Sequence, residues 1–284
     1  MPFKIITHDG KAHIDEILGS ALLALHLSEV PESVERIGAQ DVARMVENNE
    51  IPENTYVIDA GLVFDSKKRL FDHHQNGNLP SSALLIFNEF FSHLEGTELH
   101  NYVKLVSRVD TQNITSLNDY SAVSELNAYW SFIHKLLVRT FEDNPQLVLT
   151  ILIDGIKDKI EFEKAKKLAS VWRKEPGNIE MIPIESINVL IYLTKPPSEL
   201  RSALKSEMKQ LIEKNDISVT VSFDDKNPEI RTLYRTEIGH DIVDFTRCNP
   251  SKTIFNHDGG FFLKYIPVDD NEWEKLVKEA IVKR

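Results

Sequence analysis

The feature that most constrains this chain is a series of short strand-like runs separated by helical runs. FKIIT (3–7), VERIGA (34–39), TYVID (55–59) and KRLFD (68–72) have the composition of strands. Between the first two lies ILGSALLALHL, apolar on almost every face and rich in small residues, which predicts a buried helix. DVARMVEN (41–48), SSALLIFNEFF (81–91, with Ser81 as N-cap) and ELHNYVKLVSRV (98–109) also read as helices. Strands alternating with helices predict an α/β fold built on a mainly parallel sheet.

The pattern changes further along. Residues 119–175 read as mostly helical, with breaks at Asn144-Pro145 and Pro176-Gly177. NVLIYLT, ISVTVSF, EIRTLYR and TIFNHDGGFFLKYI then contain strands, and SELRSALKSEMKQLIEKN and NEWEKLVKEAIVK are amphipathic helices. The expected organisation is a first α/β domain over 1–140, a helical connector over 141–184 and a smaller α/β domain over 185–284. A chain of 284 residues has room for two domains.

Composition narrows the chemistry. The single cysteine, Cys248, rules out an internal disulfide and a thiolate zinc cage. Any metal must be held by His, Asp and Glu. The formal net charge is −11, concentrated in residues 1–150. A protein gripping nucleic acid by bulk electrostatics would be basic. A phosphate substrate would therefore need bound cations and a few placed arginines. No apolar run reaches the ~18 residues of a bilayer span. The opening MPFKIITHDG lacks the features of a signal peptide, so the expected location is cytoplasmic, with no membrane partner.

The strand ends carry the candidate chemistry. His8, His13 and Asp15 follow the first strand, Asp59 ends TYVI, and Asp72, His73 and His74 end KRLF. In an open parallel sheet, sites form outside the carboxyl ends of strands. Singly, each residue has an ordinary reading: Asp15 as a helix cap, Asp59 as a turn residue, His13 and His73 as interior histidines. As a group they form a cluster of carboxylates that would repel one another without cations. An oxygen and nitrogen donor set without sulfur suits manganese, with iron, cobalt or zinc as alternatives.

THDGKAHIDE, VIDAGLVFDSKKRLFDHHQ, LPSSALLIF, SELNAYW, FEKAKKLA and NHDGGF together resemble the DHH phosphoesterase superfamily, and within it the Myg-type nucleases. The resemblance implies two divalent metal ions. His8, His13 and Asp59 would hold one. Asp15, Asp59, His73 and Asp110 would hold the other, with Asp59 shared. His74 would face the substrate phosphate, and Asp72 would orient a histidine. In the second domain, Arg235, His257, Gly259 and Gly260 match the residues with which relatives grip substrate, and Arg231 is a further candidate. HDGG is equally a good tight turn between strands. The implied activity is a manganese-dependent 3′–5′ exonuclease on RNA or short oligonucleotides. The alternative is a phosphatase or pyrophosphatase for a small phosphate compound. Homodimers occur in the superfamily and are expected only weakly here.

Overall fold

In a computed structural model, residues 2–111, 133 and 135–282 are described. The stretch SELNAYW and the first part of the helical run expected over 119–175 lie outside them. The chain divides into two compact units, residues 1–161 and 162–284.

The first unit contains β1 (Lys4–His8), α1 (Ile14–Leu27), β2 (Ser33–Ile37), α2 (Ala39–Glu47), β3 (Thr55–Ile58), β4 (Phe64–Asp65), β5 (Leu70–Phe71), α3 (Ser82–Phe90) and α4 (Glu98–Asp110). Its sheet has the order β2-β1-β3-β5-β4, parallel except for β4. Both faces are covered, and side chains alternate accordingly. Ile5, Ile58 and Phe71 face the core built with α1, α3 and α4. Ile6, Val57 and Leu70 face the opposite cluster with Val42 of α2. Gly19 lets α1 lie close to its neighbours: a Cβ there would come within 3.3 Å of Ile58 and Ile86 side chains and 3.4 Å of the Ala83 Cα.

Helix α5 (Pro145–Lys174) starts in the first unit and ends in the second. The Asn144-Pro145 break is its beginning. The Asn144 side chain accepts a hydrogen bond from the Leu147 N–H, and proline suits the first helical position.

The second unit adds β6 (Ile179–Ile184), β7 (Ile187–Tyr192), α6 (Arg201–Lys214), β8 (Ile217–Phe223), β9 (Arg231–Arg235), β10 (Thr253–Asn256), β11 (Phe262–Tyr265) and α7 (Glu272–Ala280). The sheet order is β10-β11-β9-β8-β7-β6, with only the β7–β8 pair parallel. One face (Val219, Val221, Leu233, Leu263) packs on Trp273, Leu276 and Val277 of α7. The other, at Leu190, packs on Leu204 and Met208 of α6 and Ala169 of α5. The fold is α/β in both units.

Three local details differ from the sequence reading. KRLFD forms a strand only at Leu70–Phe71; residues 66–68 make a 3-10 turn capped by Asp65, and Arg69 takes a left-handed φ of 65°. Strand β6 falls in the stretch expected to be a helical connector. Ser81 precedes α3 but makes no capping bond with its side chain. Among the described residues, no helix is long and apolar enough to cross a membrane.

Candidate metal centre

Register explains why distant residues meet. Strands β1, β3 and β5 are neighbours and run parallel, with Ile6 opposite Val57 and Ile58 opposite Phe71. Their carboxyl ends therefore deliver His8, Asp59 and Asp72-His73-His74 to one edge. Helix α1 begins beside that edge and brings His13 and Asp15. Asp110, the last residue of α4, reaches it from the helical layer.

Three groups of donor atoms result, each lying within 4.8 Å of one another: His8, His13 and Asp59; Asp15, His73 and Asp110; and Asp59, Asp72, His73 and His74. Asp59 belongs to two of them. Its φ of 57° is left-handed, a conformation costly for most residues and tolerated by Asp and Asn. Such strain persists where the surroundings impose it. Here the Asp59 N–H donates to the Phe71 carbonyl at 2.9 Å, and the Ser82 hydroxyl donates to Asp59 Oδ1 at 3.2 Å.

Asp15 is buried in the first turn of α1, yet it serves a different helix. Its carboxylate accepts from the Ser81 hydroxyl and from the N–H groups of Ser82 and Ala83 at 2.9 and 3.0 Å. It thus occupies the positive end of α3. The cap expected of Ser81 is absent because its hydroxyl is engaged with Asp15. Even so, burial, then the charges of Asp59 and Asp110, push the Asp15 carboxyl well above the usual carboxylate range.

Asp72 organises the DHH run. Its Oδ1 accepts from the His73 and His74 N–H groups at 2.6 and 3.0 Å and from His74 Nδ1 at 2.8 Å; Oδ2 accepts from the Leu62 N–H at 2.7 Å. Burial alone would raise its pKa. The bonds from His74 and Leu62 outweigh that and hold the carboxyl below its usual value. In return Asp72 raises the His74 imidazole to about 9. His74 is half exposed, whereas His73 is buried, with Nε2 3.1 Å from Asp110 Oδ2 and Nδ1 3.5 Å from Asp59 Oδ1.

The sequence reading assigned no role to Glu16 or Arg36. Glu16 is fully buried. Its Oε1 accepts from the His13 N–H at 3.2 Å and from Arg36 at 3.3 Å. Arg36 also donates to the His8 carbonyl. Glu16 Oε2 lies 3.1 Å from His8 Nε2 as a charge contact but without hydrogen-bond geometry, which leaves this buried oxygen without a hydrogen-bond partner. Burial raises Glu16 to about 7, and a hydrogen bond to Asp59 raises His8 to about 9. The only available signal for Glu16 was its place directly after Asp15.

These residues fit divalent cations. The donors are carboxylates and imidazoles, several are buried together at electrostatic cost, and an orphaned carboxylate oxygen points at His8. Cations of Mn, Fe, Co or Zn type accept such mixed N/O sets.

In the second unit, Arg235 donates to the Val243 carbonyl at 2.8 Å and to the Gly259 carbonyl at 3.4 Å. HDGG forms the β10–β11 hairpin turn. The Gly260 N–H donates to the His257 carbonyl and the Gly259 N–H to His257 Nδ1. The structure thus joins Arg235 to the turn, and both glycine N–H groups already have local partners. Arg231 donates to the Tyr192 carbonyl and lies 3.8 Å from the centre of the Phe223 ring.

Comparison with known proteins bears on the first unit. Residues 4–129 match the family MYG1_exonuc, described as an uncharacterised protein family (UPF0160). The MYG1 protein of Chlamydia trachomatis is 28% identical over 120 residues, spanning 40% of this chain and 38% of that one. The crystal structure of RecJ in complex with Mn2+ from Thermus thermophilus matches 97% of this chain and 51% of its own, with a TM-score of 0.25 and 12% identity. Residues 4–129, which carry the His/Asp edge and the DHH run, are thus similar to the MYG1_exonuc family, and the chain spans well under half the length of the curated relative it matches.

Proposed function

We propose that the chain is a two-metal phosphodiester hydrolase, manganese-dependent, that removes nucleotides from the 3′ end of RNA or short oligonucleotides. The observation that carries this reading is the overlap of three donor groups at one sheet edge, where Asp59 joins His8 and His13 to His73, and His73 joins Asp59 to Asp15 and Asp110. His8, His13 and Asp59 would hold one cation; Asp15, Asp59, His73 and Asp110 would hold the other. Bound cations supply Lewis-acid polarisation of a phosphoryl oxygen and neutralise these carboxylates.

The remaining roles follow from the protein's own groups. Asp72 accepts the His74 Nδ1 proton and so leaves the other ring nitrogen for substrate. With its pKa at about 9, His74 is an imidazolium at neutral pH and donates a charge-assisted hydrogen bond to a phosphate oxygen. Arg36 and Glu16 fix the His8 backbone and ring. Ser81 and the α3 N-terminus hold Asp15 in place. Arg235, with the His257–Gly260 turn, would bind substrate in the second unit.

The test is turnover by metal-stripped, manganese-reconstituted protein on 5′-labelled RNA of several lengths, matching DNA, pyrophosphate and a 3′,5′-bisphosphate nucleotide. The expected result is stepwise 3′ shortening of RNA. Phosphate release from the small compounds alone would replace the exonuclease with a small-molecule phosphatase. No turnover with metal bound would remove the enzymatic reading.

A further inference from the structure

Strand register lays out an exposed surface on the second unit that the metal-centre reading does not use. Thr220, Tyr234 and Phe262 lie opposite one another across β8, β9 and β11, and Ser222, Thr232 and Lys264 form the next row. Directly opposed residues share a face. On β10, Phe255 faces Lys264 and extends the surface. On the reverse face of these strands Val219, Val221, Leu233 and Leu263 are buried in the core. This face instead leaves Tyr234 46% and Phe255 48% exposed. Helix α6 closes one side, so that the sheet and helix enclose a cavity of about 630 Å³. That is within the usual range for ligand sites.

Charge narrows the occupant. Lys195, Arg201, Lys205 and Lys264 line the cavity with only Asp224 and Asp225 opposing them, although the chain as a whole is acidic. Arg201 pairs with Asp225 and Lys264 with Asp224. Lys195 donates to a backbone carbonyl, and Lys205 has no ion pair among the described residues. The cavity therefore has a surplus of positive charge beside exposed aromatic rings. Arg235 belongs elsewhere, because Arg231, Leu233 and Arg235 alternate with Thr232 and Tyr234 and point to the other side of β9.

We infer that this groove binds single-stranded oligonucleotide, stacking bases on Tyr234 and Phe262 and meeting phosphates with Lys195 and Lys205. Rings on an open sheet face suit unpaired bases of any identity, and lysines follow the backbone. The core of an interface between two copies would be depleted of charge, unlike this surface. The inference deepens the oligonucleotide reading and rests on it for the link to turnover.

The experiment is fluorescence anisotropy of a labelled single-stranded RNA of about ten nucleotides with the chelator-treated full chain. Tyr234→Ala is expected to weaken binding roughly tenfold, Tyr234→Phe to keep wild-type affinity, and Lys205→Glu to flatten the salt dependence. Equal affinity in Tyr234→Ala, equal loss in Tyr234→Phe, or no saturable binding by the wild type would overturn the groove. So would a change in oligomeric mass with Tyr234→Ala and none in affinity, which would make the face a contact between copies. Hydrolysis of bis(4-nitrophenyl) phosphate by the manganese-loaded wild type reports on the metal centre separately. Hydrolysis without RNA affinity sinks the groove and keeps the centre. Affinity lost in Tyr234→Ala, without any phosphodiester cleavage, keeps the groove and sinks the centre.

Discussion

The two sheets present polar chemistry in opposite ways. In the parallel sheet of the first unit, both faces are buried, so polar residues collect at the strand tips and end up packed against one another. In the largely antiparallel sheet of the second unit, one part of a face stays open, and polar and aromatic residues lie along it in rows. The first arrangement concentrates charge where water is scarce and suits cations. The second spreads rings and hydroxyls where a flat ligand can lie. Strand direction, more than composition, separates a site at an edge from a site on a face.

The contrast can be broken most forcefully at Asp59. Asp59→Asn keeps a residue that tolerates the left-handed backbone but removes the shared charge. Activity should fall by more than about a hundredfold, beyond the effect usual for an outer partner, while circular dichroism stays native. Full activity would refute the shared-ligand account. Next comes Asp72→Asn, which frees His74 without removing a proposed ligand. A loss of about 10- to 100-fold in kcat/KM is expected, together with a lower-pH midpoint for the His74 imidazole by NMR titration.

The buried edge also predicts how the metal-free protein responds to pH. His8 and His74 are raised to about 9, so the stability they contribute is complete below their usual 6.5 and is lost as pH climbs toward 9. Glu16 at about 7 and Asp15, also raised, act in the same direction, because the folded form holds protons that the unfolded form releases. The Tm of chelator-treated protein should fall between about pH 6.5 and 9. Divalent cation should stabilise most at the upper end, since ligands must be deprotonated to bind. A rising Tm without metal would contradict the geometry. The smallest effects separate the two faces of β9. Leu233→Ala should cost about 2–5 kcal/mol of stability by denaturant unfolding. Its neighbour Tyr234→Ala should cost about 0.5 kcal/mol or less.

Much of the metal edge was legible because it follows from local pattern. A strand-like run ending in His or Asp marks a tip, and neighbouring parallel strands bring the tips together. That reasoning reaches His8, Asp59 and the DHH run. It does not reach the Glu16–Arg36 and Ser82–Asp59 contacts, which cross 20 and 23 residues of sequence. Asp15 read as a metal ligand, or singly as a cap for its own helix; that it holds the start of α3 is a tertiary contact that no helical spacing encodes. Strand β6 was missed because Pro183 and its mixed polarity argue against a strand. It is the edge strand of its sheet, where proline is tolerated. The groove was only partly visible. As sequence, Phe255, Phe261, Phe262 and Tyr265 suit a strand core at least as well as a stacking platform, and alternation divides them: Tyr265 is fully buried and Phe255 half exposed.

The central claim is that Asp59 serves two cation sites at once. The most direct measurement is isothermal titration of chelator-stripped protein with manganese, wild type against Asp59→Asn, both checked for native fold. The account predicts two equivalents bound by the wild type and the loss of both from the variant. Two undiminished equivalents in Asp59→Asn, or no saturable binding in the wild type, would contradict it.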